Sequence, residues 1–239
     1  MGKNTFNQNS SRTKRFADAG QEEYRRHFAL CIDAGDVDQV KEYCETYADA
    51  LTFKGFDDDE GTALHLAAKA GQIKVIDYLI DCGADVRVPD KYGDLPVHTA
   101  SNMQHEKAAV RLLEVGSAPD DLLLEYAACH GQPQVARRCL DAGLSPSLVR
   151  KNGLSVLMTA AYGGSSKGST NIVKLLIERG ADVLYKNAGG ETALTHALGS
   201  RHLDAAILLE EEMRKAQEKL DASTVLRKNM TVNTPLKLK

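Results

Sequence analysis

The chain has 239 residues, with 30 Lys plus Arg against 33 Asp plus Glu, 43% hydrophobic and 26% charged residues. These are the proportions of a folded protein of one or two domains, and they exclude a wholly disordered or fibrous polymer. Trp is absent, and Phe and Tyr number only 5 and 8, so Ala, Leu, Ile and Val have to supply the core, which suits small helices packed closely together.

Taken in chain order, residues 1–22 open with Lys3, Arg12, Lys14 and Arg15 and no acid before Asp18, which reads as a flexible basic segment. MGKNTFNQNSSRTKR lacks the apolar centre of a secretory signal, and Phe6 stands where a myristoylation motif needs Ser or Thr. HFALCIDAGDVDQVKEYC is expected to form a first helix pair, followed by a loop carrying Phe53, Phe56 and the acidic run Asp57, Asp58, Asp59 and Glu60. A second pair, GTALHLAAKAGQIKVIDYLIDCGAD, has Gly71 and Gly83, whose places recur 33 residues later at Gln104 and Gly116. An internal period of this size is the mark of a repeat architecture. DKYGDLPVHTAS through RLLEVGS is the next copy; LLLEYAACHGQPQVARRCLDAG, RKNGLSVLMTAAYGG with NIVKLLIERGAD, and NAGGETALTHALGSRHLDAAILL follow. The last runs on as AAILLEEEMRKAQEKLD, with Ile207, Leu208, Met213, Ala216 and Leu220 near helical spacing and a Glu211–Lys215 (i, i+4) pair, as befits a capping helix with a polar outer face. Residues 221–239 show no clear period and read as a basic tail.

These copies resemble the ankyrin-repeat family, whose signature is D-x-x-G-x-T-P-L-H-x-A-A, a loop, and a second helix ending in L-L-x-x-G-A-D. Asp90, Gly93, Pro96 and His98 keep that register, as do Ala127, Ala128, Gly131 and Gly143 in the following copy. The resemblance implies an all-α ankyrin-repeat solenoid of about six helix pairs over residues 23–220, ending in the capping helix. Thr62, Ser155 and Thr192 are placed to cap first helices, and Gly83 and Gly180 to end second ones. Only six residues separate Gly116 from Leu122 where twelve separate Gly83 from Leu95, so one projecting hairpin is expected to be missing. The GGSSKGS insertion after Tyr162 is expected to be a mobile loop.

Chemistry is sparse. His65 and His98 occupy the T-P-L-H place, where the imidazole typically bonds backbone of neighbouring turns, and they lack metal-ligand spacing. The five cysteines Cys31, Cys44, Cys82, Cys129 and Cys139 include no CxxC pair, which argues against a disulfide framework or zinc site and for a reducing, cytoplasmic compartment. Cys129 and His130 are neighbours that point about 100 degrees apart on a helix. GGSSKGST from Gly163 to Thr170 has Lys167 before its glycine, against the order of a phosphate-binding loop, and Asp57 to Glu60 lacks the alternation of a calcium loop. No catalytic residue, cofactor or metal is expected. Residues 17–220 hold an excess of ten acids between the basic ends, a poor match to nucleic acid, and no run approaches the ~20 apolar residues that span a membrane.

The resemblance implies a non-catalytic adaptor, scaffold or inhibitor, monomeric when free, that binds another protein on its concave face and hairpin tips. Carried onto this sequence, those positions are Asp58, Asp59, Lys91, Tyr92, Asp94, Asn102, Met103, His130, Lys151, Asn152, Leu154, Tyr162 and Glu191, with Tyr92, Met103, Leu154 and Tyr162 as anchors. A bacterial ankyrin effector acting in a host cell is an alternative within this class. An enzyme with a small site formed by the fourth-copy insertion, His130 and Tyr162 is the alternative from another class.

Overall fold

The computed structural model describes residues 14–18, 20–163 and 167–232. Among the described residues, regular structure consists of twelve α-helices and two isolated bridges, Lys14 with Tyr47 and Val149 with Ser155. The chain divides into two compact units, Met1–Ala118 and Pro119–Lys239. The division falls in the shortened connection between Gly116 and Leu122, where the sequence predicts that a hairpin is missing.

In the first unit, α1 (Glu22–Ala34), α3 (Ala63–Lys69) and α5 (Pro96–Asn102) pack side by side, and α2 (Val37–Thr46), α4 (Ile73–Asp81) and α6 (Glu106–Glu114) form the layer behind them. The second unit repeats the plan with α7 (Asp121–His130), α9 (Val156–Tyr162) and α11 (Ala193–Gly199) in one layer and α8 (Pro133–Asp141), α10 (Lys167–Glu178) and α12 (Leu203–Val232) in the other. Layers this thin form because alanines stand at the contacts. Ala67 and Ala68, Ala127 and Ala128, and Ala160 and Ala161 are all fully buried, while Val75, Ile76 and Leu79 of α4 fill the space behind. Each helix pair buries its apolar side against the next pair, which one pair alone cannot do.

Caps follow the sequence. Ser155 and Thr192 accept from the amides of Met158 and Thr195, at 3.1 and 3.3 Å. The turn inside five of the six pairs holds a left-handed residue whatever its type: φ is 75° at Gly35, 68° at Gly71 and 70° at Gly131, and also 65° at Gln104 and 59° at Arg201. The next residue then reaches back to the preceding repeat. Gln72 Nε2 donates to the Asp33 carbonyl at 2.6 Å, His105 Nε2 lies 3.1 Å from the Lys69 carbonyl, and His202 Nδ1 lies 3.3 Å from that of Ala161. Left-handed geometry costs a side-chain-bearing residue about 1–2 kcal/mol, of which roughly half is offset by the extra freedom glycine has when unfolded. Gln104→Gly is therefore expected to stabilise the protein by about 0.5–1 kcal/mol in urea unfolding.

Three expectations need correction. The segment 1–22 is not wholly flexible: Phe16 is fully buried, stacked on Tyr47 with centroids 4.0 Å apart and packed edge-on to Phe56 at 5.2 Å. Its backbone is tied down as well, since the amides of Phe16 and Ala17 donate to the Asp49 carboxylate at 2.7 and 3.0 Å. The stretch expected to be a tail continues α12 to Val232; the turns before it carry local pairs, Lys215 with Glu211 at 2.7 Å and Arg214 with Glu218 at 3.0 Å. The buried face of α12 is Ala205, Ala206 and Leu209, and not Ile207 and Leu220, which are exposed. Finally, the insertion expected to be a loop is partly helix: α10 begins at Lys167, and buried Ser169 donates through Oγ to the Gly163 carbonyl at 3.2 Å. Residues 164–166 of that insertion lie outside the described residues.

Candidate binding face of the repeats

The hairpins that project between helix pairs are held by one device. A single carboxyl or amide oxygen at the first tip position accepts two amides: Asp57 Oδ1 from Asp59 and Gly61 at 3.2 and 3.3 Å, Asp90 Oδ1 from Tyr92 and Asp94 at 2.8 and 2.9 Å, Asn187 Oδ1 from Gly189 and Glu191 at 3.0 and 2.9 Å. Short polar side chains close turns in this way. At the corresponding place in the other hairpin stands Arg150, whose guanidinium instead pairs with Glu125, and the tip is closed by Asn152 Oδ1 accepting from Leu154 at 3.0 Å.

The T-P-L-H histidines belong to the scaffold. Thr62 N–H donates to His65 Nδ1 at 3.1 Å, so His65 carries its proton on Nε2 and donates to the Asp94 carbonyl at 3.0 Å. His98 Nδ1 likewise accepts from the Leu95 amide at 3.1 Å. Burial holds the His65 imidazole below the ordinary histidine range, against the smaller opposing pull of its bond to Asp94. As pH falls through about 6.5 the unfolded chain takes up this proton before the folded one does, so the contribution of this site is complete above that pH and is lost on acidification. Urea unfolding at pH 7, 6 and 5 is expected to show stability falling by at most about 1.4 kcal/mol per unit from this residue, a slope that His65→Gln reduces.

Seven of the thirteen predicted residues come together in the first unit. Asp59, Tyr92, Asp94, Asn102 and Met103 line one cavity of about 110 Å³ beneath the first two hairpins, with His65 at its floor. Lys69 Nζ bridges Asp57 and Asp59 at 3.2 Å each, and the bond from Lys69 holds the Asp59 carboxyl below the usual carboxylate range. Lys91 joins the hairpins: its amide donates to the Asp59 carbonyl at 3.1 Å, its ammonium lies 3.6 Å from the Asp59 carboxylate, and it also donates to the carbonyl of exposed Asp58. Asp57 and Asp59 of the acidic run are thus paired within the protein, while Asp58 and Glu60 are exposed. Tyr92 and Met103 stand at the mouth, 70% and 42% exposed.

The other six lie in the second unit and are more dispersed. Lys151 and Asn152 are exposed on their hairpin, but Leu154 is half-buried, which weakens it as an anchor. Half-buried His130 lies against Tyr126, centroids 6.4 Å apart, and burial lowers its pKa. Tyr162 is 65% exposed and edge-on to His196 at 6.3 Å. Glu191 accepts from Asn187 Nδ2 at 2.6 Å and lies 3.5 Å from His196 Nε2, so its charge is already engaged. Among the described residues there is no group of three or more His, Cys, Asp or Glu able to hold a metal, and no helix long and apolar enough to cross a membrane.

Sequence reasoning missed one feature of this surface, a groove of about 440 Å³ between α1 and α3, floored by Ala29, Leu30, Phe56 and Leu66. The first pair lacks the T-P-L-H motif that marks the others. The available signal was Leu30, five residues before Gly35 as Leu66 is five before Gly71.

Short helix pairs stacked in register, with projecting hairpins and an open first-helix surface, define a repeat protein built for binding. A family model described as ankyrin repeats (3 copies) matches residues 27–121 and 124–219, and the chain belongs to the ankyrin-repeat family, whose repeats are protein–protein interaction modules. It is similar to an ankyrin repeat domain from Acinetobacter baumannii, with 25% identity, a TM-score of 0.61, and coverage of 78% of this chain and 96% of that one. A structure of a predatory endopeptidase from Bdellovibrio bacteriovorus in complex with an immunity protein contains a chain matched at 22% identity and TM-score 0.64, covering 77% of this chain and 96% of that one. Curated relatives include the palmitoyltransferase AKR1 of Lachancea kluyveri, 29% identical over 58% of this chain and 20% of that protein. Another is ankyrin repeat and SAM domain-containing protein 6 of Danio rerio, 32% identical over 62% of this chain and 19% of that protein. The chain thus spans about a fifth of the length of these curated relatives.

Proposed function

We propose that this chain is a non-catalytic, stoichiometric protein-binding module, acting as an adaptor, scaffold or inhibitor, that holds its partner on the first-helix surfaces and hairpin tips. One observation carries this. Many polar groups of the repeats are spent on closing turns and joining neighbours, while the large side chains of Tyr92, Met103 and Tyr162 stay exposed on the first-helix and hairpin surface. Large amphipathic side chains at such positions supply the few contacts that dominate an interface, commonly 1 kcal/mol or more each on the order of alanine-scan values. The acidic balance of residues 17–220 favours a protein partner over nucleic acid, and a reducing compartment, cytoplasm or nucleus, or host cytosol for a bacterial effector, suits the unpaired thiols.

The test is affinity capture from the native cell extract with mass spectrometry, repeated with Tyr92→Ala, Met103→Ala and Tyr162→Ala combined. With the circular-dichroism spectrum retained, the triple variant is expected to bind its partner at least ~100-fold more weakly; capture undiminished in that variant would overturn the assignment of this face. Turnover by the purified protein, lost in His130→Ala, would replace it with the enzyme alternative.

A further inference from the structure

The α1–α3 groove and the hairpin cavity share Asp57 and Lys69 in their walls, so they are two halves of one trough along the first helices of the N-terminal unit. Their chemistry differs. The groove half is apolar at its floor, with Leu30 60% exposed at its centre. Its charges cancel, Glu22 and Asp33 against Arg25 and Arg26. Arg25 is moreover committed within the protein, donating from Nε to the Phe16 carbonyl at 2.5 Å and lying over the Phe53 ring at 4.9 Å. The cavity half carries a surplus of negative charge: Asp57, Asp59, Asp90 and Asp94 line it together with Lys69, which is already shared between Asp57 and Asp59; Lys91 adds to the pairing of Asp59, and His98 Nδ1 lies 3.8 Å from Asp94 Oδ1. Tyr92 stands at its mouth with a ring face that accepts cations, since Lys91 Nζ lies 4.8 Å from its centroid.

We propose that this trough binds an exposed segment of a partner protein carrying a large aliphatic side chain and a basic one about three residues apart. The aliphatic side chain packs on Leu30, Phe56 and Leu66; the basic one enters between Asp59, Asp90 and Asp94, beside Tyr92. Arginine fits this half better than lysine, because its planar fork offers five donors to several carboxylates and stacks on an aromatic ring. The spacing follows from the scaffold. Packed helices lie about 8–10 Å apart, so the two halves are about one such step apart, which an extended chain covers in about three residues at roughly 3.3 Å each. The inference rests on the binding function proposed above and deepens it by giving the partner's chemistry.

The experiment titrates the full chain against fluorescent twelve-residue Gly/Ser peptides carrying Leu and Arg three residues apart, with Leu/Glu and Ala/Arg peptides alongside. The Leu/Arg peptide is expected to bind at least tenfold more tightly than either, and to weaken severalfold between 50 and 500 mM NaCl, as screened contacts do. Leu30→Ser, an exposed change that leaves the core intact, is expected to abolish the preference for Leu over Ala. Tyr92→Ala, and Asp59→Asn provided its melting curve is retained, are expected to abolish the preference for Arg over Glu. Equal binding of the Arg and Glu peptides, no binding at all, or preferences unmoved by these variants would overturn the inference. If the captured native partner depends on Tyr92, Met103 and Tyr162 but is not displaced by the Leu/Arg peptide, this inference falls while the binding function stands; if peptide selectivity holds and the triple variant still captures the partner fully, the reverse follows.

Discussion

Phe16→Ala is expected to destabilise the N-terminal helix pair by about 3–5 kcal/mol, the range for truncating a fully buried aromatic residue. Phe16 is the hub of a cluster: its ring is 4.0 Å from Tyr47, 5.1 Å from Phe28, 5.2 Å from Phe56 and 6.0 Å from Phe53. It comes from the segment ahead of α1 and caps the first pair, packing on Phe28 of α1, on Tyr43 and Tyr47 at the end of α2, and on Phe53 and Phe56 of the loop that follows. In a stacked array each unit touches only its neighbours, so the damage should stay local. Amide exchange in α1 and α2 is expected to accelerate by about a hundredfold or more, in keeping with a loss above 2.7 kcal/mol, while α9 and α11 of the second unit keep their protection. Uniform loss across both units, or protection unchanged in α1, would show that the cluster does not cap the array. The Asp49 carboxylate holds the Phe16 and Ala17 amides, so Asp49→Ala is expected to give a weaker version of the same pattern.

The capping role of Phe16 was not legible in the sequence, whereas the repeat scaffold was. Paired alanines, capping hydroxyls and turn glycines act through local geometry that recurs from copy to copy, so each copy supports the reading of the others; even Gln104 falls in the register of Gly71 although it is not glycine. Phe16 has no such copy. Its partners Tyr47, Phe53 and Phe56 lie more than thirty residues away, and the only sequence signal was that all five phenylalanines fall within the first 56 residues. The extent of α12 beyond Leu220 was hidden for a related reason: from Glu210 to Thr224 the helix has no fully buried residue, and past Leu220 no apolar period continues, while local charge pairs such as Glu211 with Lys215 support the part before it. At the candidate binding face, five of the residues named by register, Asp59, Tyr92, Asp94, Asn102 and Met103, line one cavity. It could not tell which charges are engaged at home, as Glu191 is, because that depends on side-chain geometry at tips whose sequences differ.

Gly163→Ala is expected to cost about 1–3 kcal/mol, an overpacking loss, although nothing in its backbone requires glycine: its φ is −60°. A run of glycines and serines suggests flexibility, but the reason for this glycine is a neighbour. A β-carbon there would meet the Cys129 carbonyl oxygen at 2.7 Å and that of Ala128 at 3.2 Å, and these are backbone atoms of α7, which cannot move without shifting the helix. The added methyl therefore pushes α9 and α7 apart at the contact that Ala128 and Ala161 keep close. Gly199→Ala supplies the contrast. It lies in the last turn of α11, and a methyl there meets nothing within 4 Å, so relief of unfolded-chain entropy is expected to stabilise the protein by about 0.5–1 kcal/mol. Thermal unfolding of the two variants should then diverge in sign, with the midpoint moving by about 2–4 °C per kcal/mol for a chain of this size. If both variants melt above the parent, glycine at 163 serves no close approach and α7 must be free to yield.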